Sequence, residues 1–351
     1  MPHLDRRTTW LELAFDLVFV VAVTELADAF AEVPGVEDLD RLSLLFVVVF
    51  LCWAETTRAI NLLEGEDATR HVVVLVQILA FSAAAAFIGD AWEHRTAEFA
   101  FAVALGRAAV VAEFLRAARQ VPRAAVALYA EAAAAGAGVT LCVIAGATGS
   151  EWLLPVAALT ALAGPLAHLT AGMPGALPSH PAHLAERFGL FTVIVIGDAH
   201  AEVIDALTDG GATVAGLAEA TAILLIAAAV WWAYFRGVDD SVLRVGGPAT
   251  LGWLGIQLLL TAAVAAFGGV ARRLADQDVT PAQDLAILWA SAGAALLALA
   301  GVYRFRTPWQ PRRARRLAVA GAVAVIAAAG PEWSVMWALP LMVVHTWLAV
   351  R

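Results

Sequence analysis

Long apolar runs separated by short polar segments cover nearly the whole chain. A helix needs about 20 mostly apolar residues to cross the hydrocarbon core of a bilayer. Twelve runs are predicted to do so: 10–31, 42–63, 71–91, 98–117, 124–146, 152–172, 186–206, 213–235, 249–270, 282–303, 315–330 and 333–350. The last two are short and closely joined, so ten or eleven full spans also fit. The pattern predicts an all-α polytopic membrane protein.

Composition supports this class and excludes others. Of the 351 residues, 61 % are hydrophobic and only 15 % are charged, and the mean hydropathy is +0.78. Such a chain cannot cover a folded surface with polar groups, which argues against a soluble globular protein and a disordered one. Cys52 and Cys142 both lie inside apolar runs, so no disulfide framework is predicted. The net charge of −9 and the dispersed arginines argue against nucleic acid as a partner.

Arginine placement orients the predicted spans. All 22 basic residues are arginine. With a cytoplasmic N-terminus, most of them fall in inner segments, and the outer segments hold only Arg41, Arg95, Arg272 and Arg273. Because cytoplasmic loops carry the excess of positive charge, both termini are predicted to be cytoplasmic.

Two segments of the chain look alike. Residues 12–21 are similar to residues 186–198, and Trp53-Ala54 in the second span matches Trp232-Ala233 in the eighth. A first span that resembles the seventh predicts two parallel six-helix pseudo-repeats, an arrangement common in transporters. The predicted division is a first half 1–172, a cytoplasmic linker 173–185 and a second half 186–351.

The same segments resemble the bacterial low-temperature requirement protein A family. The resemblance rests on Trp10–Phe19 with Thr24, Trp53–Asn61 with Asp67, Glu186–Asp198, and Trp231–Phe235. It implies a multi-pass protein of the bacterial inner membrane, and it implies no settled biochemical activity. The chain departs from the family pattern at Glu25, Asp28, Glu64, Asp198 and Arg236.

Ionisable residues inside the predicted spans are the first candidates for function. Each costs roughly 2.5–3.5 kcal/mol at the centre of a bilayer, so each needs a partner, water or a role. Glu12 and Asp16 share one face of the first span, and Arg58 and Asn61 reach the same depth in the second. These four are predicted to cluster. The cluster is either a structural ion pair or a protonatable site, since two close carboxylates favour keeping one proton.

The seventh span carries a second acidic set. Asp198, Glu202 and Asp205 lie within about 60° of one helix face, whereas His200 points elsewhere. Three metal ligands are therefore not presented together, and a proton or cation path fits better. Glu186 and Arg187, at the start of this span, are further candidate site residues.

Two positions in the spans have competing interpretations. Gly197 would allow a helix break that exposes backbone groups, or it would permit close helix packing. Arg107, in the middle of the fourth span, needs a carboxylate from another helix or an anionic ligand. Glu113 and Glu131 are the candidate partners, but Glu113 is six residues along the same span and does not share a helix face well with Arg107.

A different chemistry is possible in the polar segments. Asn61, Glu64 and Asp67 follow the second span, and Asp239 and Asp240 follow the eighth. Paired acidic clusters of this kind can hold Mg²⁺ and a diphosphate, as in intramembrane prenyltransferases, with Asp67 and Asp239 as possible metal ligands. This alternative is a membrane-embedded enzyme acting on a lipid or isoprenoid diphosphate.

The leading hypothesis is a proton-coupled secondary transporter or permease for a small molecule or ion, with no cofactor. Glu12, Asp16 and Asp198 would take and release protons, with Arg58 and Arg107 as counter-charges or anion ligands. The third alternative is a non-catalytic membrane sensor or stress protein whose charges only pack helices. The bilayer and a small ligand are the predicted partners; the sequence predicts neither the substrate nor the oligomeric state.

Overall fold

The computed structural model describes residues 8–32, 39–62, 67–92, 94–170, 180–209, 213–237, 248–275, 281–305, 310–330 and 335–350. Regular secondary structure in these ranges is entirely helical. The helices are α1 (Trp10–Glu32), α2 (Leu39–Ile60), α3 (Ala68–Phe87), α4 (Thr96–Gln120), α5 (Ala125–Thr148), α6 (Leu153–Leu159), α7 (Ala163–Thr170), α8 (Pro181–Asp209), α9 (Val214–Gly237), α10 (Pro248–Ala275), α11 (Pro281–Phe305), α12 (Pro311–Ala328) and α13 (Val335–Val350).

The predicted all-α class is confirmed, and helical residues coincide with every predicted span. Within the described ranges, six helices are long and apolar enough to cross a membrane: Leu39–Ile60, Ala68–Phe87, Pro122–Thr148, Gly216–Arg236, Thr250–Val270 and Asp284–Tyr303. Helices α1, α4 and α8 are as long but carry more charged side chains. The charged side chains of these three helices therefore need partners inside the protein.

The chain divides into two compact units. Unit 1 contains the described residues of Met1–Leu26, Glu37–Arg187 and Gly246–Leu251. Unit 2 contains those of Ala27–Val36, Phe188–Val245 and Gly252–Arg351. The last turns of α1 thus belong to unit 2, and the first turns of α8 belong to unit 1. The two six-helix pseudo-repeats stay a prediction.

The sixth predicted span is broken. Between α6 and α7 the backbone forms a 3₁₀ turn over Thr160–Leu162. Pro165 explains part of the break, because it has no N–H to donate to the carbonyl of Ala161, four residues earlier. The side chain of Arg58 donates to that carbonyl instead, at 2.9 Å. A 3₁₀ stretch inside a helix often marks a functional hinge.

Helix α8, in contrast, is continuous through Gly197, so of the two interpretations of this glycine the helix break is wrong. A Cβ added at Gly197 would meet no described atom within 4 Å, so this glycine does not mark close packing either. The helix begins at Pro181, which places residues 181–185 of the predicted linker in its first turns.

The aromatic core of unit 1 joins α1 to α3. The ring centroids of Phe19 and Phe81 are 4.7 Å apart, and those of Phe15 and Phe81 are 6.2 Å apart. Gly106 on α4 makes room for Phe81, because an added Cβ would lie 2.6 Å from that ring. This core fixes the inward face of α1, on which the acidic residues lie.

Candidate proton and ligand site

Glu12 is held at the first turn of α1 by a capping box. The Thr9 N–H donates to Glu12 Oε2 at 3.0 Å, and the Glu12 N–H donates to Thr9 Oγ1 at 3.3 Å. This reciprocal pair satisfies amide groups that a helix start leaves without partners. The Glu12 side chain is buried, and Arg70 Nη2 donates to its Oε1 at 2.9 Å. The capping box therefore fixes a carboxylate inside the protein.

His183, in the first turn of α8, bridges this carboxylate to α2. Its Nε2 lies 3.1 Å from Glu12 Oε2, and its Nδ1 lies 2.9 Å from Asn61 Oδ1. The Asn61 amide nitrogen faces the His180 carbonyl at 3.5 Å, which sets the orientation of the amide. Both ring nitrogens thus face oxygen acceptors, and only a doubly protonated imidazole donates to both. The imidazole thus connects the starts of α1 and α8 with the end of α2.

Asp16 lies one turn beyond Glu12 and has its own partners. Arg187 donates to both carboxylate oxygens, from Nε at 3.2 Å and from Nη2. Trp53 Nε1 donates to Oδ1 at 2.7 Å. All three side chains are fully buried, and the Arg187 guanidinium carbon lies 6.0 Å from the centroid of the Phe15 ring. A two-point arginine–carboxylate pair is among the strongest hydrogen-bonded arrangements in proteins.

The predicted cluster of Glu12, Asp16, Arg58 and Asn61 is right in part. Glu12 and Asn61 meet at His183. Arg58 is elsewhere: its Nη2 donates to Glu131 Oε2 at 2.7 Å, so its place in the cluster is wrong. The arginine that pairs with Glu12 is Arg70, because it is buried in the first turn of α3.

Arg107 is compensated by a carboxylate from another helix, as expected, but the predicted partners are wrong. Its Nε and Nη2 donate to the two oxygens of Glu55 on α2, at 3.0 and 3.1 Å. Nη2 also donates to Thr160 Oγ1 at 2.8 Å, at the 3₁₀ turn. Glu113 pairs instead with Arg116 on its own helix at 2.7 Å, and Glu131 pairs with Arg58.

These buried carboxylates of unit 1 are each matched by an arginine. The pairs are Glu12 with Arg70, Asp16 with Arg187, Glu55 with Arg107, Glu131 with Arg58, and Glu113 with Arg116. Pairing of this kind is what a membrane interior requires of charges. His183 lies among these pairs and contacts Glu12 without an arginine between them.

The acidic set of α8 lies in unit 2 and is built differently. Arg272 on α10 donates to Glu202 and lies 2.7 Å from Asp28 Oδ1. Asp198 is partly buried, and His200 Nδ1 lies 2.7 Å from the carbonyl of its own helix residue Ile196. We call Asp28, Glu202 and Arg272 the Arg272 cluster. The described residues hold no group of three side chains that could bind a metal.

The remaining predicted residues do not join these sites. Glu186 is exposed. Asp67 caps α3, where it accepts from the Arg70 N–H at 2.7 Å and from Arg116 Nη1 at 2.9 Å. The backbone hydrogen bond and the nearby arginines hold the pKa of Asp67 below its ordinary value. Glu64, Asp239 and Asp240 of the predicted magnesium cluster lie outside the described residues.

His183, Arg70 and Trp53 are the site residues that sequence reasoning missed. All three lie within two turns of a helix end or of a motif residue, and each reaches its partner on a different helix. Together with the apolar spans, they define a helical membrane protein joined internally by buried ion pairs.

The comparison with protein families gives this class a name. The chain belongs to the bacterial low temperature requirement A (LtrA) family, whose sequence model matches residues 7–350. The resemblance noted in the sequence is thereby confirmed, and the protein is a bacterial membrane protein. A search of curated proteins gives no match.

Proposed function

We propose that this LtrA protein is a proton-coupled secondary transporter of the bacterial inner membrane, with both termini cytoplasmic. The observation that carries the proposal is His183, buried between Glu12 Oε2 and Asn61 Oδ1 at 3.1 and 2.9 Å. Its substrate is a small molecule or ion. The excess of arginine in the predicted inner segments supports the orientation.

A proton on His183 stabilises the contact of α8 with α1 and α2. When the proton leaves, one ring nitrogen keeps a lone pair that faces an oxygen, and the contact becomes repulsive. Separation of the first turn of α8 from Glu12 or Asn61 relieves that repulsion. Protonation thus biases two arrangements of the same helices, which is the element that coupled transport requires.

Asp16 and Arg187 supply the second part of the proposed mechanism, a site for an anion. Asp16 is the neighbouring carboxylate on the same face of α1, and a proton on it would release Arg187 to bind an anion. Arg58 and Arg107 are less suited to ligand binding, because each is held by a carboxylate and by a backbone carbonyl at the 3₁₀ turn.

The enzyme alternative gains little support from the described residues. Asn61 is engaged by His183, and Asp67 is engaged by the start of α3 and by Arg116. Both would have to leave these partners to bind Mg²⁺.

An untargeted uptake assay tests the proposal. Proteoliposomes would be placed in a bacterial polar-metabolite extract, with an acidic exterior or with the pH gradient collapsed by a protonophore. Mass spectrometry of the lumen is expected to show at least one solute accumulated only under the gradient. His183→Gln and Asp16→Asn should each reduce that accumulation at least tenfold, because each removes a proton-binding group.

The exposed His94 provides the matched control. His94→Gln makes the same chemical change away from the cluster and should leave uptake unchanged. Size-exclusion profiles and melting curves establish that the variants fold. Wild-type accumulation that ignores the gradient would overturn proton coupling, and the absence of any accumulated solute would overturn transport.

A further inference from the structure

Helix α12, in unit 2, is charged at one end and apolar through the rest of its length. Its first two turns hold all of its charged residues, Arg312, Arg313, Arg315 and Arg316, and residues 317–328 are all apolar. Arginines near the end of a membrane helix extend their guanidinium groups to the polar surface of the bilayer, while the apolar part stays in the hydrocarbon. The start of α12 therefore lies at the level of the lipid head groups.

Close contact with α11 determines which face of α12 points away from it. A Cβ added at Gly321 would lie 2.8 Å from Leu297 Cγ and 3.0 Å from the carbonyl oxygen of Gly293, both on α11. The buried residues of α12 lie on the same side of the helix as Gly321: Leu317, Ala320, Ala324 and Ala327. The opposite side of α12 is therefore available to lipid.

That opposite side carries two arginines followed by an apolar stripe. Arg312 and Arg315 are exposed, and so are Val319, Ala322 and Ile326. At 100° per residue, these five side chains fall within about 80° of one another. The helix rises about 16 Å from Arg315 to Ile326, which is close to half of the ~30 Å hydrocarbon core. The face thus has the polarity and the length of one leaflet of the bilayer.

The two exposed arginines have no counter-ion among the described residues. The ion pairs in those ranges involve other arginines, and neither Arg312 nor Arg315 makes a side-chain hydrogen bond there. Arg316 differs, because its Nη1 donates to the carbonyl of Leu348 on α13. The guanidinium groups of Arg312 and Arg315 are therefore available to an anion.

We propose that this face of α12 binds one anionic phospholipid. The lipid phosphate accepts hydrogen bonds from Arg312 and Arg315, whose planar guanidinium groups suit phosphate oxygens. One acyl chain lies along Val319, Ala322 and Ile326. A zwitterionic lipid has the same phosphate, but its amine cancels the charge that attracts the arginines. The inference goes beyond the proposed transport and does not depend on it.

Native mass spectrometry of the full chain in detergent tests the head group. The probes are phosphatidylglycerol and phosphatidylethanolamine with identical acyl chains. The first phosphatidylglycerol is expected to bind roughly tenfold more tightly, because each arginine near the bilayer surface adds attraction for an anionic lipid. The preference should weaken as the salt concentration rises. Equal affinity for the two lipids would overturn the proposal.

The double variant Arg312→Gln with Arg315→Gln tests the location. Both side chains are exposed, so the melting temperature should hold, while the affinity for phosphatidylglycerol should fall roughly tenfold and that for phosphatidylethanolamine should not change. Arg119→Gln with Arg123→Gln is the matched control, because it removes two exposed positive charges from unit 1. Equal losses of affinity in the two double variants would show that total charge, and not this face, attracts the lipid.

Soluble glycerol phosphate and a bulky substitution test the acyl chain. Glycerol phosphate presents the head group alone and should not raise the melting temperature at concentrations where phosphatidylglycerol does. An equal rise would overturn the assignment to a lipid.

Ala322→Trp places an indole on the apolar stripe and should lower the affinity for phosphatidylglycerol several-fold. Ala112→Trp, at an exposed position of α4, is the control and should not. An unchanged affinity in Ala322→Trp would contradict the path of the chain. A dimer that the Arg312 and Arg315 variant dissociates, with no lipid preference, would assign the face to a second copy instead.

Discussion

The ion pairs around Glu12 and Asp16 in unit 1 and the Arg272 cluster in unit 2 differ in how far solvent reaches them. In unit 1, Glu12 and Asp16 are sealed from solvent and share their oxygens among a histidine, a tryptophan and two arginines. In unit 2, Arg273 and Asp284 also form a buried pair, but the Arg272 cluster is open on one side: Arg272 and Asp28 are 35 % and 34 % exposed, while Glu202 is 4 % exposed. Exposed pairs are screened by water and salt, whereas buried ones are not. The informative contrast is therefore between the buried Glu12 and Asp16 pairs and the half-open Arg272 cluster.

The largest expected effect comes from breaking the Glu12 pair. Arg70→Leu removes the arginine that is hydrogen-bonded to the buried Glu12 carboxylate. Removing one partner of a buried pair typically costs about 3–5 kcal/mol in the free energy of unfolding. We expect a lowered melting temperature or a loss of folded protein, measured by fluorescence in detergent.

Arg272→Leu is the matched change in the exposed cluster. It should cost less than Arg70→Leu, because water reaches Arg272 and Asp28 and can replace part of the lost pairing, although Glu202 is buried. The double variant Glu12→Gln with Arg70→Leu should recover part of the stability, because the buried carboxylate is removed together with its arginine. Equal losses of stability for Arg70→Leu and Arg272→Leu would show that solvent does not weaken the Arg272 cluster relative to the Glu12 pair.

An intermediate effect is expected at two glycines that face carboxylates. A Cβ at Gly164 would lie 2.0 Å from the Glu131 carboxyl carbon, and one at Gly268 would lie 2.9 Å from Glu202 Cγ. Overpacking a core costs typically 1–3 kcal/mol. The loss of stability for Gly164→Ala should lie at the upper end of this range, because Glu131 is also fixed by Arg58. The loss for Gly268→Ala should lie at the lower end.

Gly136→Ala serves as the reference for helix propensity. Its added Cβ meets no described atom within 4 Å, so the change should stabilise slightly. Melting temperatures in one detergent rank the three variants. A Gly164→Ala protein as stable as Gly136→Ala would show that Glu131 is free to move.

The smallest effect is expected from Asp67. Because its pKa is lowered in the folded protein, its contribution to stability is present above its ordinary pKa near 4 and is lost as the pH falls through the lowered value. Asp67→Asn should thus reduce the melting temperature by a few degrees at pH 7 and by progressively less as the pH falls below about 4. Melting curves across this range measure the difference. Added Mg²⁺ that stabilises the wild type and not Asp67→Asn would favour the enzyme alternative.

Periodicity predicted the helices and the buried positions well. Glu12 and Asp16 were placed on one inward face of α1, and both are buried there. Arg107 was expected to need a carboxylate from a different helix, and it has one. These are properties of a single helix and of the bilayer, so one sequence carries them.

Partner choice was predicted less well, because it depends on which helices touch. The local sequence of α2 does not indicate that Arg58 pairs with Glu131 or that Glu55 pairs with Arg107. Two features of the sequence do indicate these arrangements. Asp67 caps the helix whose first turn holds Arg70, and Pro165 indicates a break in the sixth span. Glu64, Asp239 and Asp240 lie outside the described residues, so their roles stay predictions.

The 3₁₀ turn over Thr160–Leu162 also bears on how the protein is made. The Ala161 carbonyl in this turn accepts a hydrogen bond from Arg58, and the Ala157 carbonyl, near the end of α6, accepts one from Arg107. Lipid offers no replacement for those donors. Since α2 and α4 leave the ribosome first, they are in place when this short segment enters the bilayer. We therefore expect the helices to insert in the order of synthesis, with Arg58 and Arg107 of the earlier helices supplying hydrogen-bond donors to the sixth span.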